Sequence, residues 1–160
     1  MFKKVKLAAL LLLALPVCPL PGHAAAPPQL VANSNSYPAS SYVIKEGRVY
    51  CKIETLSSMM GALNSWVFKE RQSASFITHF SAKGDSDEFY TWFAHSDKVE
   101  IRSVIDGKEN VKNLSMDHQT IVSQDGELFI PLRDAVQALG KTITWDRKSN
   151  RIVVTGKIAY

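Results

Sequence analysis

From residue 42 onward, short apolar runs alternate with polar turns, and glycine and proline mark the breaks. Glu46-Gly47 and Asp125-Gly126 are turn dipeptides in which glycine tolerates a positive φ, and each opens a short apolar run that reads as a strand. Leu132, Ala135, Val136 and Leu139 then recur at the three-and-four spacing of one buried helical face. Pro131 stands where a missing N–H costs little, and Gly140 closes the helix as a left-handed cap. Earlier in the chain Ile53, Leu56 and Met60 draw the same stripe and Gly61 the same cap. After each cap come a predicted strand reaching a tryptophan, a polar turn and a closing strand, at 151–155 in the later instance and 75–78 in the earlier. Residues 88–95, 98–105 and 109–114 add strand candidates, the last two joined at Asp106-Gly107. The expected fold class is α+β, an antiparallel β-sheet curled over two short helices.

The same pattern occurs twice because the chain resembles itself. A shift of 79 residues lays EGRVYCKIETLSSMMGALNSW (46–66) on DGELFIPLRDAVQALGKTITW (125–145). Gly47 then meets Gly126, Gly61 meets Gly140 and Trp66 meets Trp145, while Val49 meets Leu128 and Tyr50 meets Phe129. This reads as two related strand–helix–strand repeats, near 42–80 and 121–157, with the two tryptophans expected at matching places on the sheet.

The first 41 residues follow a different logic. Lys3, Lys4 and Lys6 precede an apolar stretch at 7–15, which is short against the roughly 20 residues a membrane span needs. Gly22-His23-Ala24 supplies the small residues that a signal peptidase reads, so 1–24 is expected to be a signal peptide, cut after Ala24 or Ala25. Cys18 is the candidate for lipidation, although bulky Val17 precedes it. Residues 25–41, rich in Pro, Ser, Asn and Ala, are expected to form a flexible linker. These features imply an extracytoplasmic protein, secreted, periplasmic or on the cell surface, with no stable membrane span after cleavage.

Charge follows from that division. Three of the 19 basic side chains and none of the 15 acidic ones lie in the leader, so the remainder is near neutral and carries no nucleic-acid footprint. Beyond the leader the single cysteine is Cys51, which leaves the core alone to hold the fold.

The run DGELFIPLRDAVQALGKTITWDRKSNRIVVT (125–155), with its order of DG, apolar strand, PLR, short helix, ALG, strand, WD, polar turn and strand, resembles the copper amine oxidase N-terminal-like or stalk domain. The likeness weakens over 46–80, where Lys52-Ile53-Glu54 replaces Pro-Leu-Arg and Val67 replaces the aspartate after tryptophan. Over 81–124 only spacing agrees. The resemblance implies a compact sheet-and-helix module at residues 42–160, of a kind found in secreted or surface proteins of bacteria and remote from the copper centre of the oxidases. It implies no cofactor.

The candidate chemistry is sparse. His79, His95 and His118 show no close spacing that would put two imidazoles on one metal, so no metal site is expected. Asp85, Asp87 and Glu88 crowd carboxylates but lack the other ligand positions of a calcium loop. Cys51 paired with a histidine is the one route to catalysis, as a secreted cysteine hydrolase acting on cell-wall or peptide substrates, yet its place in a strand also suits a small core hydrophobe. Tyr90, Trp92 and Phe93 sit on one strand, whose neighbouring positions point to both faces, so at least one faces outward unless both faces are covered. Tyr90 and Trp92 are thus either core or the candidate binding residues, for a cell-wall glycan or an envelope protein. The expectation is a non-catalytic secreted or envelope-associated module that works by binding.

Overall fold

The Glu46-Gly47 turn shows how closely local chemistry sets the chain path. With φ of 52° and 73° at its two central residues, it is a two-residue hairpin loop whose twist matches that of the strands it joins. In chain order the computed structural model places β1 (Gln29–Ala32), β2 (Asn35–Tyr37), β3 (Tyr42–Lys45), β4 (Arg48–Cys51), α1 (Ile53–Met60), β5 (Asn64–Phe68) and β6 (Ser73–Phe80). There follow β7 (Ser86–Phe93), β8 (Lys98–Ile105), β9 (Lys108–Ser115), β10 (Ile121–Val122), β11 (Leu128–Pro131), α2 (Leu132–Ala138), β12 (Thr142–Asp146) and β13 (Arg151–Thr155). The structure describes residues 26–80, 86–105 and 107–158. The expected signal peptide at 1–24, with Cys18, and Asp85 of the acidic cluster lie outside the described residues.

The α+β reading holds at the level of a mostly antiparallel structure with two helices, but the strands form three sheets rather than one. Their orders are β12-β13-β1-β2, β10-β11-β4-β3 and the meander β5-β6-β7-β8-β9. The exception to antiparallel pairing is β1 beside β13, with Leu30 opposite Ile152 and Ala32 opposite Val154. A single cluster of buried side chains connects all three sheets and both helices. From α1 it takes Ile53, Leu56, Met59 and Met60, and from α2 it takes Leu132, Ala135 and Val136. Leu139, expected on the buried face of α2, is only half-buried.

Both helices end in the same way. Ala62 N–H donates to the Ser57 carbonyl at 2.9 Å and Gly61 N–H to that of Ser58, while Lys141 N–H donates to Val136 at 2.9 Å and Gly140 N–H to Gln137 at 2.8 Å. These are Schellman caps, and they require the left-handed φ of 71° at Gly61 and 69° at Gly140.

The flexible linker expected at 25–41 is not what the structure contains. Leu30 and Ala32 are fully buried, β1 is hydrogen-bonded to β13, and the Asn33 side-chain amide donates to the Met59 carbonyl at 2.9 Å. The Tyr42 hydroxyl also donates to the Pro28 carbonyl. Composition misleads here because two buried side chains and a ladder with a strand 122 positions away, Gln29 to Arg151, suffice to order the segment. Nothing local announces that partner.

Candidate binding cleft

The cleft arises where two sheets diverge. Side chains alternate along a strand and cross-strand partners share a face. On the β12–β13 hairpin Trp145 pairs with Ile152 and Ile143 with Val154, so Trp145 lies on the face that carries the fully buried Val154. On the β3–β4 hairpin Ile44 pairs with Val49 and Tyr42 with Cys51, so Ile44 shares its face with two core residues. Yet Trp145 is 52% exposed and Ile44 49% exposed. Two faces that are covered at one end stand open at the other. The space between them is a cleft of about 540 Å³, completed by Pro28 and the start of α2.

Its polar groups are few. Arg48 and Arg133 line it, Arg48 lying 3.8 Å from Glu46. Among the described residues the Arg133 side chain enters no ion pair or hydrogen bond. His118 Nδ1 donates to Asp134 Oδ2 at 2.8 Å, with Asp134 buried and His118 partly exposed. That contact ties the loop after β9 to the first turn of α2. The Arg147 guanidinium lies 5.7 Å from the centre of the Trp145 ring, within cation–π range.

A histidine oriented by an aspartate is the supporting part of many nucleophile-activating sites, so the position of the thiol matters. Cys51 does not line the cleft. It is fully buried opposite Ile130, and burial, helped by the nearby Glu54 charge, pushes its pKa up to about 12. Such a thiol stays protonated and unreactive near neutral pH, whereas a catalytic cysteine needs a lowered pKa. Among the described residues no group of three His, Cys, Asp or Glu is placed to hold a metal ion.

The candidate binding residues require correction. Trp92 is fully buried and Tyr90 nearly so, in ring contact with Phe76 at centroid distances of 5.2 and 5.0 Å. Both point into the core from β7, where a glycan or partner surface does not reach. Burial, together with the hydrogen bond its hydroxyl donates to Glu88, raises the Tyr90 pKa. Phe89 and Phe93 stand on the opposite face of this strand, and of the two Phe93 is the exposed one. Sequence reasoning missed the cleft because Trp145, Ile44, Arg48 and Arg133 come from four separate elements. The one available signal was the tryptophan, which alternation places on the same face as Ile152.

The comparisons with known proteins bear on the same region. No curated protein and no solved structure matches the chain. The copper amine oxidase N-terminal domain family matches residues 105–159, a stretch that holds β10 to β13, α2 and the cleft residues His118, Arg133, Asp134 and Trp145. This carboxy-terminal part of the chain, with the DG–PLR–ALG–WD signature at its centre, is thus similar to a non-catalytic domain family, the N-terminal domain of the copper amine oxidases.

Proposed function

We propose that the chain is a non-catalytic, extracytoplasmic module of the bacterial envelope that works by binding an envelope protein or the wall in the cleft between the β3–β4 and β12–β13 hairpins. The observation that carries this reading is the exposure of Ile44 and Trp145 on sheet faces that are otherwise core. An apolar surface left open beside charged groups is what a binding site offers, and its volume lies within the range of ligand pockets. The leader-like sequence at 1–24 supports export, and the match to a non-catalytic family supports a role without turnover.

Two facts also support reading the units β4-α1-β5 and β11-α2-β12 as related copies. Their helices carry the same glycine caps, and β4 pairs with β11 so that Cys51 faces Ile130, its counterpart under the 79-residue shift. A pairing that sets a residue against its own equivalent has approximate two-fold symmetry, as a duplicated unit would.

The test is a pull-down in which wild type and an Ile44→Ser variant are offered isolated peptidoglycan and envelope extract separately. Retention of wild type by one of the two and its loss in the variant is the expected result. Failure of wild type to be retained by either, or wall hydrolysis that depends on Cys51, overturns the reading. Export is checked by the intact mass of the secreted product, expected to begin at Ala25 or Ala26.

A further inference from the structure

The lining of the cleft discriminates among occupants. Its walls are aliphatic, with Ile44 and Val49 from one sheet, Ile143 and Ile152 from the other, and Leu132 from α2. The hydroxyls of a glycan pressed against such walls lose water without finding partners, which disfavours binding. The one aromatic in the lining, Trp145, already has the Arg147 guanidinium near its ring, which competes with stacking by a sugar. An extended polypeptide matches better. Alternate side chains can fill an aliphatic gap, and β3 is the edge strand of its sheet, with β4 as its sole neighbour there.

Charge narrows the choice further. Arg48 and Arg133 line the cleft, and among the described residues their one contact with an acid is the exposed pair of Arg48 with Glu46. The acid within the lining, Asp134, is buried and engaged by His118. Cationic groups therefore face an apolar space whose single carboxylate is already occupied.

Resting on the binding role given to this cleft above, we infer that its occupant is an extended acidic segment of a partner protein. Aliphatic side chains of the segment fill the gap between the sheets, and its carboxylates pair with Arg48 and Arg133. Guanidinium–carboxylate pairing beside a desolvated apolar surface sets both the orientation and the sign of the ligand.

Fluorescence anisotropy on the purified chain tests this with two labelled peptides of equal length, one alternating valine with glutamate and one alternating valine with lysine. The glutamate peptide is expected to bind saturably, and more weakly as salt is raised, while the lysine peptide does not bind. The double variant Arg48→Ala, Arg133→Ala is expected to weaken binding roughly tenfold or more, the loss of one or two charge-assisted contacts. Both side chains are exposed, so its thermal melt should stay close to wild type. The charge-reversed variant Arg48→Glu, Arg133→Glu should gain the lysine peptide, a result that a folding defect does not produce. Equal binding of the two peptides, no effect of the double alanine variant, or no saturable binding of the glutamate peptide overturns the inference. Displacement of the glutamate peptide by soluble peptidoglycan fragments overturns the occupant while leaving the cleft as the binding site, an outcome distinct from failure of the pull-down.

Discussion

The two tryptophan-bearing strands, β5 and β12, begin alike and end on opposite sides of their sheets. Each follows a glycine-capped helix, and Trp66 and Trp145 stand five positions beyond their glycines. Trp145 shares a face with Ile152 and Val154, which belong to the core. Trp66 shares one with Ser75, whereas the core residues Ala74 and Phe76 face the other way. The tryptophans therefore do not occupy matching places, contrary to what the sequence alignment of the two units leads one to expect. The reason can be read in the closing strands. Where β13 sets the core residue Ile152 opposite Trp145, β6 sets Ser75 opposite Trp66, and Asn64 stands on that face where β12 has Ile143, so polar side chains replace what would make a core. The first unit instead continues into β7, β8 and β9, and buries Tyr90, Trp92, Val99 and Ile101 on the side of Ala74 and Phe76. The second unit takes its neighbour beyond β13, the strand β1, from residues more than a hundred positions earlier. One unit extends its sheet locally. The other is completed by a short borrowed strand, and its tryptophan face stays open as the cleft.

This difference can be broken from either side. Trp92→Ala should have the largest effect, about 3–5 kcal/mol, because it empties the centre of the extended meander. Denaturant unfolding measures it. Leu30→Ala attacks the borrowed strand and should cost about 2–5 kcal/mol. A loss well under 1 kcal/mol would mean that β1 is not docked and that the linker expectation was sound. His118→Ala should cost less, about 1–3 kcal/mol, by leaving the buried Asp134 carboxylate without its hydrogen-bond donor. Cys51 gives a dependence on pH instead of a single value. Its folded-state pKa lies above the ordinary 9.0, so the folded chain holds the proton that the unfolded chain releases. Its contribution to stability is complete below pH 9 and is lost as pH rises from there towards 12. Tyr42 and Tyr90 are also raised and act in the same direction at still higher pH. Melting temperatures recorded from neutral to alkaline pH should fall less steeply in Cys51→Val.

What could be read in advance had a local cause. The hairpin turn at Glu46-Gly47, the two helices and their caps at Gly61 and Gly140 depend on residues a few positions apart, and the structure places them where spacing predicted. The strands at 88–95, 98–105 and 109–114 were displaced by no more than two residues at either end. Position relative to the core was a different matter. Tyr90 and Trp92 lie on one face of β7 and Phe93 on the other, but alternation alone does not say which face is covered. The answer depends on Ala74 and Phe76 in the neighbouring strand, whose side the core occupies. The strand β1 and the cleft were hidden for a related reason, since both depend on contacts between segments more than a hundred residues apart.

The three tryptophans report on three environments, Trp66 on the outer face of the meander, Trp92 in the core and Trp145 in the cleft. Each indole N–H gives its own signal in a nitrogen-15 correlation spectrum of the labelled chain. The most direct test of the account follows those signals as the glutamate-containing peptide, and then solubilised envelope extract, is added. Binding in the cleft requires that the Trp145 signal move or broaden with saturation while those of Trp66 and Trp92 stay in place. Movement of Trp66 with Trp145 unchanged would contradict the account and place the binding surface on the first unit instead.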